Sequence, residues 1–152
     1  MLQSLPKSTN VEIIVVASMA KALGLDAGVV LGSNKSISKL KQSDEFYGAS
    51  PPAAAGLYAF VQAQDIYRSS YKKLQENVKI FKQQLANKNE WHFVDDIPVF
   101  LSKQPDIMQR LLEKKILISS FPYPDRNGEN LNRIVLSSWH SETDILQLVT
   151  AL

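Results

Sequence analysis

Glu12-Ile-Ile-Val-Val-Ala-Ser-Met-Ala-Lys-Ala-Leu-Gly24, followed by Asp26-Ala-Gly-Val-Val-Leu-Gly-Ser33, is the stretch from which the fold is read. Glu12 to Ala17 is a short apolar run rich in β-branched residues, expected to form a strand buried on both faces, as in a parallel sheet. Ser18 to Gly24 then makes a turn or a single helical turn closed by glycine. Gly28 to Gly32 is a second short strand, bounded by glycines that permit tight bends. Lys21 follows the first strand by a few residues, where open α/β sheets place their ligand crevices. A lysine partly withdrawn from water there has its charged form disfavoured, and its amine can condense with a carbonyl compound. The small residues Ser18, Ala20 and Gly24 leave room for something bulky. The same residues also suit a solvated lysine in an ordinary strand-to-helix turn, the usual place for this residue type.

Working outward, Ser36 to Gln42 reads as a short helix with Lys39 and Lys41 outward, and Phe46 to Pro52 as irregular chain leading to a proline-opened helix. From Ala53 a helix carries Ala54, Leu57 and Val61 on one stripe. Ser69-Ser70 suggests an interruption, with Ser70 as the cap of a second helix in which Leu74, Val78, Phe81 and Leu85 repeat at helical spacing. The rest reads as strand (Ile97 to Leu101), helix (Ile107 to Lys115), strand (Ile116 to Ser119), strand (Arg133 to Ser137) and helix. Phe121 to Gly128 is a turn-rich loop, and Ser141-Glu-Thr-Asp144 resembles a capping box opening the last helix.

The 152 residues allow one domain or two small ones with a real core. A net charge of +2 with scattered basic residues gives no nucleic-acid footprint. The absence of cysteine excludes disulfides and thiolate chemistry and fits a reducing cytoplasm. The polar stretch Met1 to Asn10 lacks the apolar core of a secretory signal, and no run is long enough to span a membrane. His92 and His140 lie far apart without metal-ligand spacing, so no metal site is expected.

Ala17-Ser-Met-Ala-Lys-Ala-Leu-Gly24 and the glycine-rich strand ending in Gly32-Ser33 resemble the cofactor-lysine segment of the α-oxoamine synthases, a group of pyridoxal-phosphate (PLP) enzymes of fold type I. Further stretches agree in order. Ala49-Ser-Pro-Pro-Ala53 resembles the segment before the group's long helix, and Asn77-Val-Lys-Ile-Phe81 its Asn-x-x-x-Phe helix. Lys115-Ile-Leu-Ile-Ser119 resembles the strand after its glycine-isoleucine turn, and Arg133-Ile-Val-Leu-Ser-Ser-Trp-His140 its Arg-to-His segment.

The resemblance implies an α/β fold: the C-terminal part of the PLP-dependent transferase architecture. Residues 1–68 would be the last part of the large PLP-binding domain, and residues 69–152 a small α+β C-terminal domain. It implies that Lys21 carries the cofactor and moves protons at the substrate Cα, that Ser18 bonds the PLP phosphate, and that Arg133 takes the amino-acid carboxylate, for which a planar guanidinium suits bidentate pairing. His140 is expected to be structural. Gly48 departs from the group, which has a Ser or Thr there reaching the phosphate of the neighbouring subunit. The aspartate that pairs the pyridine nitrogen belongs to an upstream portion, so this chain alone is expected to be inactive. The implied parent is a cytoplasmic homodimer condensing an amino acid with an acyl-CoA. An aminotransferase parent, or a non-catalytic α+β assembly module with open strand edges, are the alternatives.

Overall fold

The computed structural model describes residues 11–152; the stretch Met1 to Asn10, read above as carrying no secretory signal, lies outside them. Its contacts divide the chain into a unit that ends at Asp65 and a second unit, Ile66–Leu152.

In the first unit, β1 (Val15–Ser18) pairs antiparallel with β2 (Gly28–Leu31), Val15 opposite Leu31 and Ser18 opposite Gly28. The expected strand is present, but its setting is not the buried parallel one: Val16 is 74% exposed. β-branched residues favour a strand locally, while burial depends on what is stacked upon it. Helices α1 (Asn34–Leu40), α2 (Asp44–Gly48) and α3 (Ala54–Gln62) follow. Helix α2 lies in chain expected to be irregular, opened by the Ser43 hydroxyl, which accepts from the Phe46 N–H. Ser33 caps α1 in the same way. The Ser33 and Ser36 hydroxyls donate to the Glu12 carboxylate and hold it below the usual carboxylate range.

Helix α4 (Gln64–Gln84) runs without a break through Ser69-Ser70. Ser70, expected as the cap of a second helix, therefore lies inside α4, where the neighbouring Ser69 hydroxyl donates to the Ile66 carbonyl; the chain is interrupted at Ala63 instead. In the second unit α4 leads to an antiparallel sheet of order β3-β4-β6-β5: β3 (Trp91–Phe93), β4 (Val99–Ser102), β5 (Ser119–Pro122) and β6 (Asn130–Val135). Helices α5 (Ile107–Glu113) and α6 (Glu142–Ala151) complete it.

Val78, Phe81 and Leu85 of the expected stripe are buried with Phe100, Ile107, Leu111, Ile134 and Ile145 in one core, and Leu74 packs at its margin. The capping box at Ser141 forms in full: its hydroxyl accepts the Asp144 N–H, and the Asp144 carboxylate accepts the Ser141 N–H. β5 begins where the expected strand ends, and β3 was not expected.

Candidate functional site

Ser18, the last residue of β1, and Lys21 lie on the same turn between the two strands of the first unit. Backbone bonds within the turn include Met19 N–H to Ala27 O (2.9 Å), Leu25 N–H to Met19 O (3.2 Å) and Ala27 N–H to Leu25 O (2.7 Å). Gly24 takes φ +62, the left-handed conformation that glycine adopts freely. Met19 and Leu25 fold inward and are buried. Gly56 of α3 makes the space, since a Cβ there would lie 2.6 Å from Leu25 Cδ1. With those two apolar residues anchoring the turn, Ala20 to Ala22 face outward. Lys21 is therefore exposed rather than partly withdrawn from water. Among the described residues its amine makes no ion pair or hydrogen bond.

Arg133 lies in the second unit, on β6, opposite Leu101 of β4 and Ser119 of β5. Phe121 is opposite Leu131, so Phe121 and Arg133 are diagonal neighbours on one face of the ladder. The guanidinium carbon sits 4.6 Å from the centre of the Phe121 ring, a cation–π contact that holds the group flat. Arg133 Nε is buried and has no hydrogen-bond partner. The residue lines a cavity of about 410 Å³ together with Lys115, Ser119, Leu136, His140 and Asp144. The Asp144 carboxyl is held below its usual range first by the Ser141 hydroxyl and then by the Ser141 backbone N–H. It is thereby occupied at the helix cap, and Arg133 is the side chain of this cavity suited to grip a planar anion.

His140 closes the turn between β6 and α6. Its Nδ1 accepts the Ser137 N–H (3.1 Å), and its own N–H donates to the Ser137 carbonyl (3.2 Å). Among the described residues no cluster of His, Asp or Glu could hold a metal, and no helix is long and apolar enough to cross a membrane.

Lys115 sits at the cavity with φ +61. It ends α5 in a Schellman arrangement, with Lys115 N–H bonded to Leu112 O (2.8 Å) and Ile116 N–H to Leu111 O (2.9 Å). Glycine is the residue for that position, and a lysine there carries conformational strain. Lys115→Gly is expected to stabilise the fold by about 1 kcal/mol. The check is a higher urea midpoint at an unchanged m value; a lower midpoint would mean the lysine side chain contributes more than its backbone strain removes.

Sequence reasoning pointed to Ser18, Lys21 and Arg133 as expectations and gave no sign of the Phe121 ring beside Arg133. Alternation along the β5–β6 hairpin would have revealed it once the register was known.

The family described as aminotransferase class I and II matches residues 4–152. A protein of Rippkaea orientalis (strain PCC 8801 / RF-1), assigned as an 8-amino-7-oxononanoate synthase, is 27% identical over 95% of this chain and 40% of its own length. Among solved structures, serine palmitoyltransferase of Sphingomonas wittichii superposes with a TM-score of 0.67 at 19% identity, covering 91% of this chain and 38% of that one. The 8-amino-7-oxononanoate synthase of Francisella tularensis gives a TM-score of 0.62 at 23% identity, covering 91% and 44%. At these identities the structures speak for the fold. The chain spans less than half the length of each of these relatives.

Proposed function

Because the chain belongs to the aminotransferase class I and II family, we propose that it is part of a PLP-dependent enzyme that condenses an amino acid with an acyl-CoA. Lys21 holds the cofactor, Ser18 binds its phosphate and Arg133 binds the substrate carboxylate. The observation that carries this reading is the pairing, on one hairpin turn, of an uncommitted lysine amine with a serine hydroxyl three residues before it. That donor set fits PLP, whose aldehyde calls for a primary amine and whose phosphate calls for hydroxyl and N–H donors. When bound, PLP withdraws electrons from the substrate α-carbon.

The chain's own residues do the rest. The Lys21 amine would hold the cofactor and, once the substrate amine has displaced it, would be free to serve as the base and acid for the proton at the substrate Cα. The Ser18 hydroxyl would donate to the cofactor's phosphate. Arg133, held against the Phe121 ring, would take the substrate carboxylate. Residues 1–68 would then belong to the cofactor-binding domain and residues 69–152 to the small domain, in a cytoplasmic homodimeric parent. The family's name favours one further reading, an aminotransferase, in which Lys21 and Arg133 keep the same roles.

The test is attachment rather than turnover. The purified chain is mixed with PLP, its absorbance is recorded, and the linkage is reduced with borohydride and mapped by peptide mass. The expected result is a band near the visible edge with the label on Lys21. Labels spread over the surface lysines, with no excess at Lys21, would remove the reading.

A further inference from the structure

We infer that Asn77 is the positioning residue of the Arg133 cavity: its amide pins both ends of the turn that joins the Arg133 strand to the first turn of α6. The inference rests on the reading of Arg133 as a carboxylate ligand, and it reaches a residue that touches neither cofactor nor substrate in that reading.

Asn77 is fully buried, at 0% exposure, in the middle of α4. Its side-chain nitrogen donates to the Ser137 carbonyl and to the His140 carbonyl, both at 2.9 Å. Those carbonyls begin and end a four-residue turn that is also closed upon itself, Ser137 N–H to His140 Nδ1 and His140 N–H to Ser137 O. Arg133 and Leu136 line the cavity from the strand side of this turn, and His140 and Asp144 line it from the helix side. The spacing of the two walls is therefore set at the turn, and the turn is fastened to α4 through one planar amide.

The side chain is specific to this task. Two carbonyls meeting at one buried point need two donors on a single atom, which an amide NH₂ provides and a hydroxyl does not. The arrangement is kept although Asn77 Oδ1 is left buried without a partner. Such an orphan acceptor is unfavourable, and in a position chosen for packing alone a leucine would avoid it.

Trp139, 93% exposed at the tip of the turn, supplies a reporter; the only other tryptophan, Trp91, is buried in the core. Two variants separate positioning from folding. Asn77→Asp keeps the shape but, when ionised, offers no donor. Asn77→Leu keeps the buried volume and removes both donors. Three readouts apply to the full chain: amide exchange at Ser137 and His140, Trp139 anisotropy, and titration of acetate against the Arg133 Nε–H resonance.

Both variants are expected to exchange the Ser137 and His140 amides about tenfold faster or more, the size expected for losing buried hydrogen bonds. Trp139 should become more mobile, and acetate should bind about tenfold more weakly, while the Phe81 and Ile134 amides keep their protection. Unchanged exchange at the turn would overturn the inference. So would a uniform loss of protection, or failure of both variants to fold, since either makes Asn77 a core determinant only. If acetate leaves the Arg133 resonance unmoved in the parent chain, the carboxylate reading fails, while the exchange data still decide whether Asn77 sets the turn.

Discussion

Lys21→Ala is expected to abolish the borohydride-reducible PLP linkage altogether, leaving only the slow, scattered labelling of surface lysines. The argument is chemical. The attachment needs a primary amine, and Lys21 is the lysine of the segment that resembles the family's cofactor-lysine motif, with the Ser18 hydroxyl three residues before it. Lys39, exposed on α1, provides the control, and Lys39→Ala should label as the parent chain does. Ser18→Ala should retain the linkage but need about tenfold more PLP, since a hydrogen bond to a charged group contributes about 1.5–3 kcal/mol. Peptide mapping across the PLP concentration range reads all three. Persistence of specific labelling after Lys21→Ala would move the site to another lysine and remove Ser18 with it.

The legible parts of this molecule are those whose cause is local. The α4 stripe of Leu74, Val78, Phe81 and Leu85 follows from helical periodicity, and it does form the core side of the helix. The Ser141–Asp144 cap could be read because all its partners lie within one turn. The turn bearing Ser18 and Lys21 was legible as a motif, but the exposure of Lys21 was not. That exposure is settled by Met19 and Leu25 folding inward, and by Gly56 thirty-odd residues later, which makes room for Leu25.

Non-local causes account for the other departures. Ile116-Leu-Ile118 has the alternation of a strand, with Leu117 80% exposed and Ile116 and Ile118 against the core. The ladder nevertheless starts only at Ser119, opposite Arg133 of β6. Trp91–Phe93 is too short for any period to show, and it becomes a strand by pairing with β4. The contact between Arg133 and Phe121 depends on that same β5–β6 register, which a one-residue slip would undo.

Phe81→Ala is expected to destabilise the second unit by about 3–5 kcal/mol, a large part of the roughly 5–15 kcal/mol that holds a domain folded. Phe81 is wholly buried and meets two aromatic rings edge-on, Phe100 at 4.7 Å and Trp91 at 6.2 Å. Its removal takes away both the transfer energy of the ring and the aromatic contacts. The neighbours cannot collapse into the space, because Phe100 and Trp91 are held by the β3–β4 ladder and Ile107 and Leu111 by α5. Phe81→Leu fills most of the volume and should lose less than half as much. Urea unfolding followed by Trp91 emission gives the measurement, since Trp91 is packed against the deleted ring. A loss below about 1 kcal/mol would mean the core relaxes around the hole. It would also weaken the argument for Asn77, which stands one helical turn earlier on α4 and depends on that helix being held rigidly against the sheet.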